Sequence, residues 1–294
     1  MDDQDRLAER FEANRAHLRA VAYRMLGSLT EADDAVQEAW IRLSHSDTSQ
    51  VDNLRAWLTT VVARVCLHML RARRTRREAS LEIRLPDLVL SPEHGIDPEQ
   101  EALVGESVGL ALLIVLDSLT PAERIAFVLH DVFAVPFDEI APIIGRTPTA
   151  ARQLASRARR RVHGAPVPDV DLHRQWAVAD AFVEASRAGN FERLLAVLDP
   201  EVVLRSDGGA ARPGLTLLVR GARAVAERAM IFRGLVEGLT RILVNGIPGA
   251  IVWAPDGSPY TVLALTVKGG RIVALDFLAD PNRLGQLDLA AVAG

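Results

Sequence analysis

The chain reads as multidomain: two all-α segments, the second carrying a helix-turn-helix, followed by an α+β domain. Three observations predict this. Apolar residues recur at helical spacing through much of the stretch up to Val162, with arginines gathered at helix ends. Within it, FDEIAPIIGRTPTAARQLASRARRRV (Phe137–Val162) places a glycine and a Thr-Pro pair between two helical patterns. Beyond a Pro-rich joint, GAPVPDVD (Gly164–Asp171), the pattern changes to mixed helix and strand-like runs.

At 294 residues, with 49% hydrophobic and 24% charged residues, the chain is long enough for two or three cored domains of ordinary globular composition. A net charge of −4 excludes a protein that is basic throughout, so any nucleic-acid contact must come from local patches such as Arg71–Arg77 and Arg157–Arg161. The single cysteine, Cys66, cannot form an internal disulfide; it reads as a small buried hydrophobe in a reducing, cytoplasmic setting. The apolar run Val108–Leu116 is far shorter than the roughly 20 residues that cross a bilayer. The acidic start, Met1–Glu9, has no hydrophobic region after it, so neither a membrane span nor a secretory signal is expected.

Phe11 to about Arg77 should be helical. Thr30 is the expected cap of a helix with Asp33 in its first turn, burying Val36, Ala39, Trp40 and Leu43. Asp34, Gln37, Glu38 and Ile41 then share the opposite face. The next helix, from about Leu54, buries Trp57, Leu58, Val61, Val62, Val65 and Met69 and ends in five arginines between Arg71 and Arg77. The helix dipole favours some of these, but the number exceeds what an end needs, and Arg71 and Arg74 read as phosphate contacts.

Ala79–Gln100 has little periodicity and reads as a linker, in which Leu85-Pro86-Asp87 is an extended peptide able to pack into a partner. Thr120-Pro121-Ala122-Glu123 is a capping box that opens a helix with Ile125, Phe127, Val128 and Leu129. His130 and Asp131 at its end read as surface or cap residues. In the helix-turn-helix, Ile140, Ile143 and Ile144 share one side and Gly145 supplies the turn, while Pro142 weakens the first helix without forbidding it. Thr147 and Pro148 start the second helix. Its apolar face is Ala151, Leu154, Ala155, Ala158 and Val162, and its other face Thr149, Arg152, Gln153, Ser156, Arg157 and Arg160. A recognition helix, with base-reading side chains early and phosphate-binding ones late, and a solvated basic helix of a bundle account for that face equally well.

Three segments together resemble a bacterial extracytoplasmic-function RNA polymerase sigma factor: DAVQEAW (Asp34–Trp40), NLRAWLTTVVARVCLHMLRARR (Asn53–Arg74) and SLTPAERIAFVLHDVFAVPFDEIAPIIG (Ser118–Gly145) with its arginine helix. The resemblance implies sigma domain 2 over residues 1–79, a linker over 80–106 and sigma domain 4 over 107–164, joined by a linker at 165–171 to a domain at 172–294. It implies that Asp34, Gln37, Glu38 and Ile41 dock on the β′ clamp helices of core RNA polymerase. Asn53, Arg55 and Thr60 would meet the minus-ten element, for which the loop Ser44–Asn53 captures an unstacked base; Trp57 is also placed there, although a core position suits it better. The helix after Thr147 would read the minus-thirty-five element. RLPDL loosely resembles a Trp-Leu-Pro-Glu-Pro motif of some family linkers.

In the last domain a helix from about His173 to Ala188 buries Trp176, Ala179, Phe182 and Val183, and a short helix covers Phe191–Leu198. Strand-like runs follow at Val202–Arg205, Leu215–Val219, Arg241–Val244, Ala250–Trp253, Tyr260–Lys268 and Arg271–Leu278, with turns that suit an antiparallel meander. Helices before a curved sheet, with SRAGNFERLLAVLDPEVVLRSDGG at the front, resemble a SnoaL-like domain, which implies a cone with a pocket. Arg205, Asp207, Tyr260 and Asp276 are its candidate inward polar groups, although Asp276 between Leu275 and Phe277 also suits a solvent-facing position. Asp207-Gly208-Gly209-Ala210-Ala211 and Asp280-Pro281-Asn282-Arg283-Leu284 partly match tail motifs of sigma factors that carry this domain. The resemblance makes Asp207, Gly208, Gly209, Pro281, Asn282 and Arg283 the expected regulatory contacts with the sigma half.

No metal-ligand spacing or nucleotide-cradling glycine loop is present in the sequence, so no cofactor, metal or bond chemistry is expected. A small ligand in the pocket is left open. The expected function is a sigma factor that binds core polymerase and promoter DNA, regulated in cis by its tail. The alternatives are a ligand-responsive helix-turn-helix regulator and a sigma factor fused to an active SnoaL-like enzyme.

Overall fold

The structure, a computed structural model, describes residues 3–46, 53–77, 84–93, 109–163, 168–231, 238–289 and 292. Residues 47–52 of the expected base-capturing loop, and 78–83, 94–108 and 164–167 around the two expected linkers, lie outside the described residues. The chain divides into two compact units, one of Met1–Leu81, Glu101–Gly105 and Leu113–Ala165, the other of Glu82–Gln100, Glu106–Leu112 and Pro166–Gly294.

The first unit is helical. Helices α1 (Asp3–Leu26), α2 (Leu29–Ser44) and α3 (Leu54–Arg77) pack around Phe11, Leu18, Met25, Val36, Leu43, Leu58 and Cys66. Ser28, in extended conformation, caps α2 by accepting from the Glu31 N–H, so the helix starts two residues before the expected Thr30. Trp57 and Met69 are only partly buried, because α3 turns them to the rim of its apolar stripe. Burial pushes the Cys66 thiol well above its ordinary range, which fits an inert core residue.

Helix α4 (Leu110–Asp117) leads to α5 (Pro121–Phe127), whose capping box forms as expected: Thr120 accepts from the Glu123 N–H and the Glu123 carboxylate accepts from the Thr120 N–H. After a π-helical turn at Val128–Val132 come α6 (Phe137–Ile144) and α7 (Pro148–Val162). Gly145, at φ +68°, makes the left-handed turn between them. Pro142 sits inside α6 with its ring in solvent.

The second unit is α+β. Helices α8 (Leu172–Arg187), α9 (Phe191–Val197) and α10 (Ala222–Ile231) accompany a seven-stranded sheet. Its strands are β1 (Leu90–Pro92), β2 (Leu198–Asp207), β3 (Leu217–Arg220), β4 (Leu239–Val244), β5 (Ile247–Trp253), β6 (Pro259–Lys268) and β7 (Arg271–Leu278), in the order β1-β4-β5-β6-β7-β2-β3. A short helix, α11 (Pro281–Leu284), follows β7. Phe182, Leu194, Val202, Val225, Leu263 and Leu275 belong to its core.

This departs from the expected meander in three ways. β2 pairs with β7 in parallel, with Arg205 opposite Asp276. β2 is longer than Val202–Arg205, while the next run begins as a 3-10 turn at Pro213–Leu215 before β3. The strand β1 comes from the stretch expected to be linker.

Candidate polymerase and nucleic-acid surfaces, and a linker clasp

On α2, burial of Ala32, Ala35, Val36, Ala39 and Leu43 turns the opposite face outward. Asp34, Gln37 and Ile41 are exposed there, Ile41 by 44%, an apolar side chain in water amid polar neighbours. Glu38, half-buried, accepts from Arg42 at 2.9 Å, one helical turn on.

At the start of α3, Asn53 caps the helix by accepting from the Ala56 N–H at 3.1 Å. Arg55 is exposed and donates to His17 Nδ1 at 2.8 Å. A guanidinium only donates, so Nδ1 accepts and the ring proton sits on Nε2, 3.3 Å from Thr59 Oγ1. Burial, then the nearby Arg55 and Arg24 charges, push His17 down to about 4. Thr60 is half-buried. At the far end of α3, Arg71 and Arg74 are exposed, but Arg73 is structural: it donates to Leu26 O at 2.9 Å and pairs with Glu31.

On α7, burial of Ala151, Ala155 and Ala158 leaves Thr149, Arg152, Gln153, Ser156, Arg157 and Arg160 exposed on a common face, as the periodicity predicts; Leu154 and Val162 are only half-buried. Two other arginines hold the helix in place. Arg159 donates to Asp131 at 2.6 Å and reaches His130 Nδ1 at 3.3 Å, and Arg161 donates to Glu123 at 3.1 Å. His130 in turn stacks on Phe137 at 4.0 Å, with the Arg152 guanidinium 5.3 Å from that ring. His130 and Asp131 thus brace α7, and the basic face divides into arginines used for packing and arginines presented outward.

In the second unit the two tail segments and the extended linker peptide meet at one place. The Asp207 carboxylate is buried; its Oδ2 accepts from the Leu85 N–H at 2.9 Å and from Arg283 Nη1 at 2.6 Å. Arg283 Nη2 donates to Pro86 O and to Asp87 Oδ1, both at 3.0 Å. Further along, the Val89 N–H donates to Asn245 Oδ1 at 3.3 Å and Val89 O accepts from the Asn245 N–H at 2.8 Å. Leu90–Pro92 then adds to the sheet beside β4, and Glu93 pairs with Arg241 at 2.7 Å. We call this hold of the α+β domain on the run Leu85 to Glu93 the clasp.

The glycines work inside the domain. A Cβ on Gly208 would overlap Arg212 O, and one on Gly209, at φ +58°, would overlap the Asp280 carboxylate, so both close the turn against its own neighbours. Pro281 and Asn282 are exposed, and the Asn282 N–H is spent on the Asp280 side chain that caps α11. Among the expected regulatory residues, therefore, Asp207 and Arg283 touch the linker. Asn245 and Arg241 do so without having been expected.

The second unit holds a partly open pocket of about 110 Å³. Leu204, Ser206, Tyr260 and Phe277 line it, which puts Arg205, Asp207 and Asp276 on the other face of their strands. Asp276 does not face solvent: at 1% exposure it accepts from Arg205 at 2.9 Å, and burial raises its pKa against the pull of that arginine. Among the described residues that line the pocket, none is acidic and none is a histidine. Among the described residues no cluster of His, Cys, Asp or Glu could hold a metal ion, and no helix is long and apolar enough to cross a membrane.

Known proteins share both halves of this arrangement. The Sigma-70 region 2 family matches residues 10–76, and the Sigma-70 region 4 family matches residues 110–162. The ECF RNA polymerase sigma factor SigJ of Mycobacterium tuberculosis is 38% identical over 93% of this chain and 91% of its own. The probable ECF RNA polymerase sigma factor SigI of the same organism is 34% identical over 98% of each. The crystal structure of the Mycobacterium tuberculosis extracytoplasmic function sigma factor SigJ superposes with a TM-score of 0.76 over 97% of this chain and 99% of that one.

Proposed function

Since the chain belongs to the extracytoplasmic-function RNA polymerase sigma factors, we propose that its α+β domain controls initiation by holding the peptide that joins the two sigma regions. As a sigma factor the protein binds core RNA polymerase and directs promoter-specific transcription.

The exposed set Asp34, Gln37, Glu38 and Ile41 is the polymerase-docking face in this reading, directed at the β′ clamp helices. It pairs an apolar centre with a polar rim, as interfaces do. Asn53, Arg55 and Thr60 serve the minus-ten element, with Arg71 and Arg74 on phosphates. On α7, Thr149, Arg152, Gln153 and Ser156 stand toward the N-terminal half that enters a major groove, and Arg157 and Arg160 stand further on for phosphates.

The observation that carries the regulatory reading is the Asp207–Arg283 pair, which binds the linker backbone at Leu85 and Pro86 and its side chain at Asp87. Residues expected from two separate tail motifs converge on the one segment whose freedom decides how regions 2 and 4 are tethered.

Transcription in vitro with core polymerase, comparing the full chain with one ending near Pro166 and with Arg283→Met, tests this. Both changes are expected to alter transcript yield at equal protein. Equal yields from all three would remove the regulatory role and return the tail to an independent module.

A further inference from the structure

The outward arginines of α7 are not alike, and the difference is built into the segment that precedes the helix-turn-helix. The Arg152 guanidinium stands 5.3 Å over the centroid of Phe137, the first residue of α6. Among the described residues no ring stands in this way beside Arg157 or Arg160. The Phe137 ring is itself held, stacked on His130 at 4.0 Å with the two planes 11° apart. His130 Nδ1 accepts from Arg159 at 3.3 Å, and Arg159 also donates to Asp131 at 2.6 Å. Two departures from ordinary backbone bring these groups together: the π-helical turn Val128–Val132, which carries His130, and Ala134 in the left-handed region at φ +55°. There the chain folds back, the Ala134 N–H donating to His130 O at 3.0 Å and the Val135 N–H to Leu129 O at 2.9 Å.

A guanidinium stacked by its face keeps its edge. Its N–H donors lie in the plane of the group, so the ring takes the face and leaves the donors for a partner. Among the described residues none accepts a hydrogen bond from Arg152. An arginine loses rotamer freedom when it is ordered for a bidentate contact, and a stack formed before binding meets part of that cost in advance. A phosphate contact needs no such aim, because charge alone draws a mobile guanidinium to the DNA backbone. A base contact does.

We propose that Phe137 is a positioning residue for promoter sequence readout: stacked on His130, it holds the Arg152 guanidinium so that its in-plane donors address the paired acceptors on the major-groove edge of one guanine in the minus-thirty-five element. The proposal rests on the reading of α7 as the helix that enters the groove. Phe137 acts through Arg152 and not on the DNA itself, so it sharpens one base position and leaves the others alone.

The test uses holoenzyme assembled from the full-length protein and core polymerase, with promoters that vary one base pair at a time across the minus-thirty-five element. Arg152→Ala identifies the position at which a preference for guanine is lost. At that position Phe137→Leu, which keeps apolar bulk without an aromatic face, should lower the preference roughly two- to fivefold, the ~0.5–1 kcal/mol of an exposed cation–π contact at ~1.4 kcal/mol per tenfold. Phe137→Tyr should retain it. In the Arg152→Ala background Phe137→Leu should add nothing. Mono-, di- and trifluorinated phenylalanine at position 137 keep the ring's shape while draining its face of negative charge, so the preference should fall step by step, a trend that a merely structural ring would not give. This series also decides the matter if Phe137→Leu does not fold.

A flat fluorinated series, an equal loss at every base position, or additive losses in the double variant would each overturn the proposal. If Arg152→Ala relaxes the preference and the Phe137 variants do not, the positioning role falls and the groove reading stands. If Arg152→Ala leaves every preference in place, the reading of Arg152 as a base contact falls and takes the proposal with it.

Discussion

Arg283→Met strips the linker of its two bonds to Arg283 and also leaves the buried Asp207 carboxylate without its charged partner, which is why the β5 and β6 amides serve as the control. Methionine keeps a long apolar stem and removes every donor, so the linker loses its bonds at Pro86 O and Asp87 Oδ1, both 3.0 Å. A hydrogen bond to a charged group contributes about 1.5–3 kcal/mol. Asp87 stands partly in solvent, which cuts its share toward the ~0.5–1 kcal/mol of an exposed pair. The linker should lose about 2–4 kcal/mol of restraint, and at ~1.4 kcal/mol per tenfold its released population rises roughly 30–700-fold. Hydrogen exchange at the Leu85 amide, in the full-length protein, reads this directly, with Asp87→Ala as a smaller step in the same direction. A Leu85 rate within about twofold of wild type in Arg283→Met would refute the argument. So would equal acceleration at the β5 and β6 amides, which means the domain has opened and not the clasp.

Other outcomes follow from the same geometry. Arg152→Ala should relax sequence preference in the minus-thirty-five region, since a base contact is worth roughly 1–3 kcal/mol of discrimination, whereas Arg160→Ala should weaken all sequences alike and lower the salt slope; binding profiles across promoter variants at several salt concentrations separate the two. Gly208→Ala forces a Cβ onto Arg212 O and should destabilise the second unit by about 1–3 kcal/mol in urea unfolding, leaving the helical unit's transition in place. His17 stays neutral in the fold down to about 4, while the unfolded chain takes up its proton near the ordinary value of ~6.5. Stability is therefore lost as pH falls between those values, and His17→Gln should flatten that part of the stability-against-pH curve.

Where local rules carry the information, the sequence was legible. The outward face of α7 follows from 3.6-residue periodicity, so Arg152, Arg157 and Arg160 came out exposed as read. Gly145 and the Thr120–Glu123 box depend on backbone chemistry that needs no tertiary knowledge. Position by position, the errors have equally physical causes. Thr30 suits a cap because it precedes acidic residues, whereas Gly27-Ser28 marks the true start. By alternation with its neighbours Asp276 suits either an inward or a solvent-facing position; it takes neither, because β7 is covered on both faces and a parallel strand supplies Arg205 as its partner. Asn245-Gly246 is a visible hairpin signal. That the Asn245 side chain would then catch Val89, 156 residues earlier in the chain, follows from no local pattern.

The energetics of the captured segment explain why such a contact suits control. Ordering the backbone of the ten residues Arg84–Glu93 costs about 10–20 kcal/mol at ~1–2 kcal/mol each. Leu85, Leu88, Val89 and Leu90 are all buried, and at ~1.5–3 kcal/mol apiece they return about 6–12 kcal/mol. About half a dozen hydrogen bonds at ~0.5–1.5 kcal/mol each add roughly 3–9 kcal/mol. The opposing totals are nearly equal, so held and released states lie within a few kcal/mol of each other. A coupling of ~1–3 kcal/mol, typical of an effector, is then enough to change which state predominates. The buried Asp207–Arg283 pair is where such a coupling acts with most leverage. It is formed by two residues of the folded domain, so it stays assembled when the linker leaves, and it presents a ready acceptor and ready donors for the linker's return.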